Sequence, residues 1–246
     1  MISDPYERKA RIYPALLVAF PVSLLGVILG VTESSWWPAV SGVAIGSGFY
    51  VVAAQLGRHR GKAMEPELFS SWGGIPTTDR LRHRGPTNQV RLARLHSQLE
   101  VITGLVLPTE HDEESNPKAA DDVYETAVHV LRGRTRNRQR FPLVFKELCN
   151  YGFRRNSLGL RSWGIAVALA AAAGAASCLL LDSRLDSVDF SGVGLWLVLG
   201  ASLLIACVWV FFVSANWVRQ TAEAYADRLI DAIEDLYDGA ARVSGN

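Results

Sequence analysis

Residues 151–164 read YGFRRNSLGLRSWG, and residues 165–181 continue as IAVALAAAAGAASCLLL without one charged side chain. At a rise of about 1.5 Å per residue, residues 162–181 are long enough to cross a hydrocarbon layer roughly 30 Å thick. Arg154, Arg155 and Arg161 stand directly before that apolar run. Because Lys and Arg collect on the cytoplasmic side of membrane spans, this stretch predicts a transmembrane helix that begins at the cytoplasmic face.

Three further runs have the same character. Residues 12–31, 38–56 and 193–213, like residues 162–181, contain no Asp, Glu, Lys, Arg or His. Buried core hairpins of a soluble protein are the alternative, but four charge-free runs of this length are typical of membrane spans. The sequence therefore predicts an all-α integral membrane protein with four transmembrane helices in two hairpins.

Charge asymmetry predicts the orientation of these spans. Residues 57–161 carry 18 Lys plus Arg against 12 Asp plus Glu, whereas the turn at residues 32–37 carries no basic side chain. Tryptophans at the predicted outer ends (Trp36, Trp37 and Trp196) and inner ends (Trp163 and Trp217) agree with the same topology. Both termini and the long central segment are thus expected in the cytoplasm.

The central segment has the pattern of a mainly helical domain. Asn88 precedes a run in which Leu92, Leu95, Leu99 and Ile102 recur at helical spacing. Asn116 followed by Pro117 supplies the start of a second helix, residues 143–151 predict a third short one, and residues 65–87 are expected to add a short strand or two. The predicted segments are a cytoplasmic N-terminus (1–11), a first hairpin (12–56), a cytoplasmic helical domain (57–160), a second hairpin (161–213) and a C-terminal amphipathic helix (214–246).

Arginines mark the candidate ligand-binding residues, because a guanidinium fork suits phosphate groups. One interpretation is the ordinary basic bias of cytoplasmic segments together with anionic lipid; the other is a pocket for a phosphorylated ligand. For Arg154 and Arg155 the alternatives are lipid anchors or a phosphate grip. The predicted ligand-binding residues form a first cluster (Arg80, Arg82, Arg84, Arg91, Arg94), a second cluster (Arg132, Arg134, Arg136, Arg138, Arg140) and the pair Arg154 and Arg155.

The C-terminal segment has an apolar seam at intervals of four and three residues, formed by Ala222, Ala226, Leu229, Ile233 and Leu236. Its charge is the reverse of the central segment, with three Arg against six Asp plus Glu from Arg219 onward. The seam predicts either oligomerisation or docking of this helix onto the chain's own basic domain.

Catalytic signatures are missing from the sequence. The chain has no P-loop, no GxSxG and no HExxH, and its three cysteines and five histidines lack metal-binding spacing. We therefore expect no enzyme activity, no cofactor and no metal site.

Three blocks, LFSSWGGIPTTDRLRHR, AADDVYETAVHVLR and YGFRRNSLGL, together resemble a family of bacterial four-transmembrane proteins. The resemblance implies a location in the bacterial inner membrane and brings no catalytic residue with it. In layout, two hairpins around a cytoplasmic sensor, the chain is also similar to membrane effectors of bacterial phage-defence systems, which respond to nucleotide signals by forming pores or disrupting the membrane.

Three functional hypotheses follow from these features. The first is an oligomeric membrane effector that forms or gates a pore, or perturbs the membrane, when a nucleotide, an oligonucleotide or a cytoplasmic protein regulator binds the basic domain. The second is a membrane scaffold that recruits a soluble enzyme. The third is a membrane enzyme acting on lipid or a phosphorylated substrate, with Arg154 and Arg155 as phosphate clamps and His96, Glu147 or Asp121 as acid or base. Membrane lipid is a predicted partner in all three.

Overall fold

The computed structural model describes residues 4–32, 36–182 and 190–244, and all regular secondary structure in these ranges is helical. The predicted all-α class is confirmed for them. In chain order the elements are α1 (Pro5–Glu7), a π-helical turn (Arg8–Ile12), α2 (Tyr13–Thr32), α3 (Trp36–Ala63), α4 (Glu65–Trp72), α5 (Pro76–Asp79), α6 (Gln89–Thr103), α7 (Glu110–Ser115), α8 (Pro117–Arg134), α9 (Pro142–Asp182), α10 (Phe190–Phe211) and α11 (Ala215–Ser244).

The helices form two compact units. We call Met1–Glu65 with Gly152–Val218 the span unit, and Pro66–Tyr151 with Arg219–Asn246 the charged unit. These bounds differ from the predicted segments 57–160 and 214–246. The difference arises because α3 continues to Ala63 and because most of α11 contributes to the core of the charged unit.

Three helical stretches among the described residues are long and apolar enough to cross a membrane, namely Pro5–Leu29, Pro142–Leu181 and Gly192–Phe211. They make the chain compatible with a multi-pass membrane protein. The fourth predicted span, residues 38–56, lies within α3, but the side chains of residues 38–47 fall outside the described part of the structure. Residues 33–35 and 183–189, in the predicted outer turns, also lie outside it.

Two helices of the span unit cross with almost no side chain between them. A Cβ placed on Gly159 of α9 would lie 2.5 Å from the backbone N of Gly61 and 3.0 Å from the carbonyl O of Gly57, both on α3. Any larger residue at position 159 would therefore collide with the α3 backbone. Gly57 and Gly61 have the GxxxG spacing that permits such close approach of two helices.

The charged unit encloses one large apolar core. Asn88 caps α6 by accepting hydrogen bonds from the backbone N–H groups of Val90 and Arg91, and Gly104, with φ +73°, ends that helix. Asn116 likewise caps α8, with Pro117 at its first position. The buried apolar residues of this core come from α6 (Leu95, Leu99, Ile102), α8 (Ala120, Tyr124, Ala127, Val128, Leu131), α9 (Val144), α11 (Tyr225, Leu229, Ile230, Ala232, Ile233, Leu236) and the connections (Leu81, Leu107, Phe141).

Two local expectations are wrong. Residues 65–87 form no strand; they contain helices α4 and α5, joined at Gly73 and Gly74, which both have positive φ. Residues 143–151 are not a separate short helix but the beginning of the 41-residue α9. No proline follows Pro142 within that helix, so nothing in its backbone interrupts it before Asp182.

Candidate functional site

A small cavity in the charged unit brings two of the predicted ligand-binding arginines together. Arg80 Nε lies 2.7 Å from Asp227 Oδ1, and Arg91 Nη2 lies 2.7 Å from Asp231 Oδ1. Both carboxylates belong to α11, so the acidic face of that helix meets the basic end of α6. The cavity has a volume of about 300 Å³ and is lined by Arg80, Pro86, Thr87, Asn88, Arg91, Asp227 and Ile230.

The geometry of this cavity suits an anion. Its wall includes Asn88, the cap of α6, so the N-terminal end of a 15-residue helix lies beside the two guanidinium groups. Asp227 pairs with Arg80 as an intramolecular anion. Burial by itself lowers the pKa of Arg80, but the hydrogen bond and charge of Asp227, together with the charges of Glu223 and Asp79, outweigh it, and the pKa of Arg80 is raised. An anion that enters from outside the chain must compete with that carboxylate.

The other arginines of the first cluster are also paired. Arg82 grips Asp121 with two hydrogen bonds of 2.7 Å each and is only 8% exposed. The hydrogen bond to Asp121 is the main cause that raises the pKa of Arg82. Arg84 Nε lies 3.4 Å from Glu113, and Arg94 Nη2 lies 3.6 Å from Glu234 of α11. Every member of the first cluster therefore has a carboxylate partner within the charged unit.

A buried polar network lies next to Arg82, and sequence reasoning did not find it. Glu113 is 2% exposed; it accepts hydrogen bonds from the backbone N–H of His83 at 2.8 Å and from the Tyr124 hydroxyl at 3.1 Å. Burial, and then the charge of Glu113, raise the pKa of Tyr124 far above its ordinary value. Glu113 stands in the acidic segment TEHDEESNP, where nothing distinguishes it from its exposed neighbours.

His96, one of the predicted acid or base residues, belongs to the same network. Its Nε2 lies 2.7 Å from the carbonyl O of Leu81, and its ring packs 5.0 Å from that of His83 and 5.8 Å from that of Tyr124. Burial lowers the pKa of His96. The neutral imidazole therefore has a structural role in this position, joining α6 to the loop that carries Leu81.

The second cluster has a different environment. All five of its arginines are exposed on the α8 end and the connection to α9, and Arg132, Arg134 and Arg136 form no ion pair among the described residues. The guanidinium of Arg138 lies 4.5 Å from the centre of the Phe145 ring. Arg140 donates a hydrogen bond to the carbonyl O of Asp235 at 3.0 Å. Arg132, Arg134 and Arg136 therefore form an uncompensated basic surface on the charged unit.

Arg154 and Arg155 lie in the span unit and contact its own groups. Arg154 Nη1 donates to the carbonyl O of Trp217 at 2.7 Å, and its guanidinium lies 4.8 Å from the centre of that indole. Arg155 Nη1 lies 2.7 Å from Glu65 Oε1. Both arginines therefore belong to the span unit and have partners there, whereas the two arginine clusters belong to the charged unit.

Arg161, the third arginine before the predicted span, caps another helix. It donates from Nε to the carbonyl O of Trp209 at 3.2 Å and from Nη2 to that of Val210 at 2.8 Å. Both carbonyls belong to the last turn of α10, where intrahelical partners run out. Arg161, which the sequence predicted to mark the cytoplasmic end of a span, thus also makes a specific capping contact that its position in the sequence did not predict.

The predicted oligomerisation seam requires a correction. Its five residues are buried by the chain itself, and Leu229, Ile233 and Leu236 lie in the core formed with α6 and α8; the relative exposures are Ala222 5%, Ala226 0%, Leu229 0%, Ile233 0% and Leu236 9%. Apolar side chains satisfied in this way have no surface left for a second copy. The seam thus serves the docking alternative.

Comparison with known proteins gives no further guide to function: no family model, curated protein or solved structure shows a significant match. The resemblances carried by the three sequence blocks and by the layout therefore remain predictions. Among the described residues, no group of three or more His, Cys, Asp or Glu side chains is arranged to hold a metal ion.

Proposed function

We propose that the chain is a four-span effector of the bacterial inner membrane that assembles as a homo-oligomer. In this proposal it forms or gates a pore, or perturbs the membrane, when a phosphorylated ligand binds the charged unit. Both termini and the charged unit lie in the cytoplasm. Residues 38–56 of α3 provide the fourth span, which is supported by their lack of any charged side chain.

The observation that carries this proposal is the cavity at Arg80 and Arg91. Its two guanidinium groups, beside the N-terminal end of α6, match the requirements of a phosphate group. The carboxylates that form ion pairs with these arginines belong to α11, which begins at Ala215 shortly after α10 ends at Phe211. A ligand that binds Arg80 and Arg91 displaces Asp227 and Asp231 and leaves these carboxylates of α11 unpaired. The helix that follows the last span therefore responds to the ligand.

Magnitudes indicate what such a ligand can and cannot do. Exposed ion pairs contribute about 0.2–1 kcal/mol each, and a phosphate accepting several charge-assisted hydrogen bonds, at about 1.5–3 kcal/mol each, is able to replace them. The buried seam of α11 stabilises the charged unit more strongly, since each fully buried Leu or Ile contributes about 1.5–3 kcal/mol. We therefore expect the ligand to rearrange the charged face of α11 while the apolar seam stays docked.

The test uses the full chain reconstituted in liposomes that contain a self-quenched dye. Inorganic phosphate, ATP and a short single-stranded oligonucleotide serve as probes, and both binding and dye release are measured. The double variant Arg80→Gln with Arg91→Gln should weaken probe binding at least tenfold and suppress triggered release, because two charge-assisted contacts are lost.

The matched control removes the same charge from the second cluster, as Arg134→Gln with Arg136→Gln. This control should bind and release like the wild type. Equal loss in both variants would mean that binding follows net charge alone, and would contradict a ligand site at the cavity.

A second candidate function is the membrane scaffold. It is favoured by the exposed, uncompensated arginines at positions 132, 134 and 136, a surface suited to an acidic protein partner. The scaffold becomes the better account if two results are found together. Arg134→Gln with Arg136→Gln is then the one variant that loses function in cells, and neither the wild type nor any variant releases dye from liposomes. The enzyme hypothesis has less support, since Arg154 and Arg155 contact Trp217 and Glu65 of their own unit.

A further inference from the structure

One face of α3 changes from apolar to cationic along the helix, and its side chains are exposed among the described residues of the span unit. Val51 and Val52 are 56% and 63% exposed, and Gln55, Arg58, His59 and Lys62 are exposed on the same face, at intervals of three and four residues. We call these six residues the graded face. On the opposite face, Ala53, Gly57 and Gly61 are buried.

The cationic end of the graded face contains a cavity. It has a volume of about 430 Å³, is open to solvent, and is lined by Gln55, Arg58, His59, Lys62 and Ala63. Among the described residues, Arg58, His59 and Lys62 form no ion pair, in contrast to Arg155 of the same unit, which pairs with Glu65. The positive charge at this cavity is therefore left for a group outside the chain.

The graded face fits the boundary between hydrocarbon and headgroups in one leaflet. At about 1.5 Å per residue the helix rises about 6 Å from Val51 to Gln55, well within the roughly 15 Å of hydrocarbon in one leaflet, and about 10 Å further from Gln55 to Lys62, toward the headgroup layer. If the amide of Gln55 lies at the edge of the hydrocarbon core, the charged groups of Arg58 and Lys62 lie at the headgroup level. Acyl chains then lie against Val51 and Val52. Basic pockets at the cytoplasmic end of spans bind anionic headgroups in this way.

We propose that the graded face is a binding site for one anionic phospholipid, whose headgroup phosphate contacts Arg58 and Lys62 and whose acyl chain lies on Val51 and Val52. This site is separate from the cavity at Arg80 and Arg91. It rests on the proposed fourth span, because only a membrane-crossing α3 presents its valines to lipid.

The experiment compares lipid retained by the full chain after purification from nanodiscs that contain equal amounts of phosphatidylcholine and phosphatidylglycerol. The variant Arg58→Gln with Lys62→Gln should lower the retained ratio of anionic to zwitterionic lipid by roughly 10- to 30-fold, as expected from the loss of two basic contacts near the surface. The matched control is Arg8→Gln with Lys9→Gln, which removes the same charge from two exposed residues of the span unit. It should retain the wild-type ratio.

Four results would overturn the proposal. Equal loss in both variants means that lipid responds to overall charge and not to the graded face. An unchanged lipid ratio with a smaller oligomer in the Arg58 and Lys62 variant means that this face contacts a second copy of the chain. A spin label at position 51 that is accessible to a water-soluble quencher, and not to oxygen dissolved in lipid, means that the fourth span itself is wrong. A lipid-exposed label together with an unchanged ratio and oligomer would reject the headgroup site alone and leave the four-span topology in place.

Discussion

The two arginine clusters look alike in the sequence and differ in the structure. Each has five arginines within a short stretch of chain. In the first cluster every guanidinium meets a carboxylate, and Arg82 is nearly buried with Asp121. In the second, Arg132, Arg134 and Arg136 are exposed without an ion pair among the described residues. Local charge density therefore does not tell which basic residues hold the fold together and which remain available to a partner.

The acidic helix α11 accounts for most of this difference. It supplies Asp227, Asp231 and Glu234 to the first cluster, and its apolar seam fixes those carboxylates in place. In the second cluster, Arg140 donates its hydrogen bond to a backbone carbonyl of α11, at Asp235. Removing α11 from the core should therefore abolish the difference between the two clusters.

Replacing Leu229 and Ile233 by Asp should have the largest effect. Both side chains are 0% exposed, and two unpaired carboxylates in an apolar core cost several kcal/mol each, comparable with the total stability of a domain of about 5–15 kcal/mol. We expect the charged unit to lose protection in hydrogen exchange, most clearly in α6 and α8. Val101→Asp with Val106→Asp is the control, because these valines are 65% and 86% exposed. Retained protection in the core variant would mean that α11 is not needed for the fold.

Arg82→Ala should have the second largest effect on stability. It leaves Asp121, with a side chain 24% exposed, without its two hydrogen bonds. Breaking a fully buried pair costs about 3–5 kcal/mol, and the partial exposure of Asp121 should reduce this cost to about 2–4 kcal/mol. Arg134→Ala should change the free energy of unfolding by less than about 0.5 kcal/mol, as for an ordinary surface substitution. The measurement is denaturant unfolding of both variants in the same detergent. Similar losses would erase the distinction between the clusters.

The next effect is a pH dependence beside the first cluster. Because burial holds the pKa of His96 below its ordinary value of 6.5, the unfolded chain binds more protons than the folded one once the pH falls below that value. The stabilisation is present above pH 6.5 and is lost as the pH decreases toward the folded-state pKa. His96→Gln should flatten this part of the stability curve, measured by thermal unfolding between pH 7.5 and 5, whereas His129→Gln, at an exposed position, serves as the matched substitution. A curve that responds equally to both changes would contradict the assignment to His96.

The exposed pairs of the first cluster should give the smallest effect. The side chains of Arg91 and Arg94 are 55% and 65% exposed, so Arg91→Gln or Arg94→Gln should cost only about 0.2–1 kcal/mol. Salt screens such pairs, and the cost should decrease when ionic strength is raised from 0.05 to about 1 M. A large cost that persists in high salt would show that these arginines are part of the core scaffold and not of an exchangeable charged face.

Short-range patterns predicted much of this fold. The positions Leu92, Leu95, Leu99 and Ile102 are buried as their spacing predicted, because a helix of 3.6 residues per turn places them on one side. The cap at Asn116 is likewise confirmed, since it depends only on neighbouring backbone groups. The apolar runs predicted three of the helices now found able to cross a membrane.

The candidate site could not be predicted in the same way, since its contacts join distant parts of the chain. Arg80 and Asp227 are 147 residues apart, and Arg91 and Asp231 are 140 apart. A seam that fits a coiled coil fits an intramolecular core equally well, because both require one apolar stripe on a helix. Whether the seam packs on a second copy or on the chain's own helices depends on the surfaces that the rest of the chain presents to it. The sequence of α11 alone does not contain that information.

The glycine crossing of α3 and α9 also sets a sequence of events in time. Gly57 and Gly61 are synthesised about a hundred residues before Gly159, which at about 5–20 residues per second is an interval of roughly 5–20 s. Throughout that interval Gly57 and Gly61 of α3 lack their close neighbour on α9, Gly159. The first two long helices must therefore persist as an incomplete pair, held by their own contacts, while the whole segment between them and α9 leaves the ribosome.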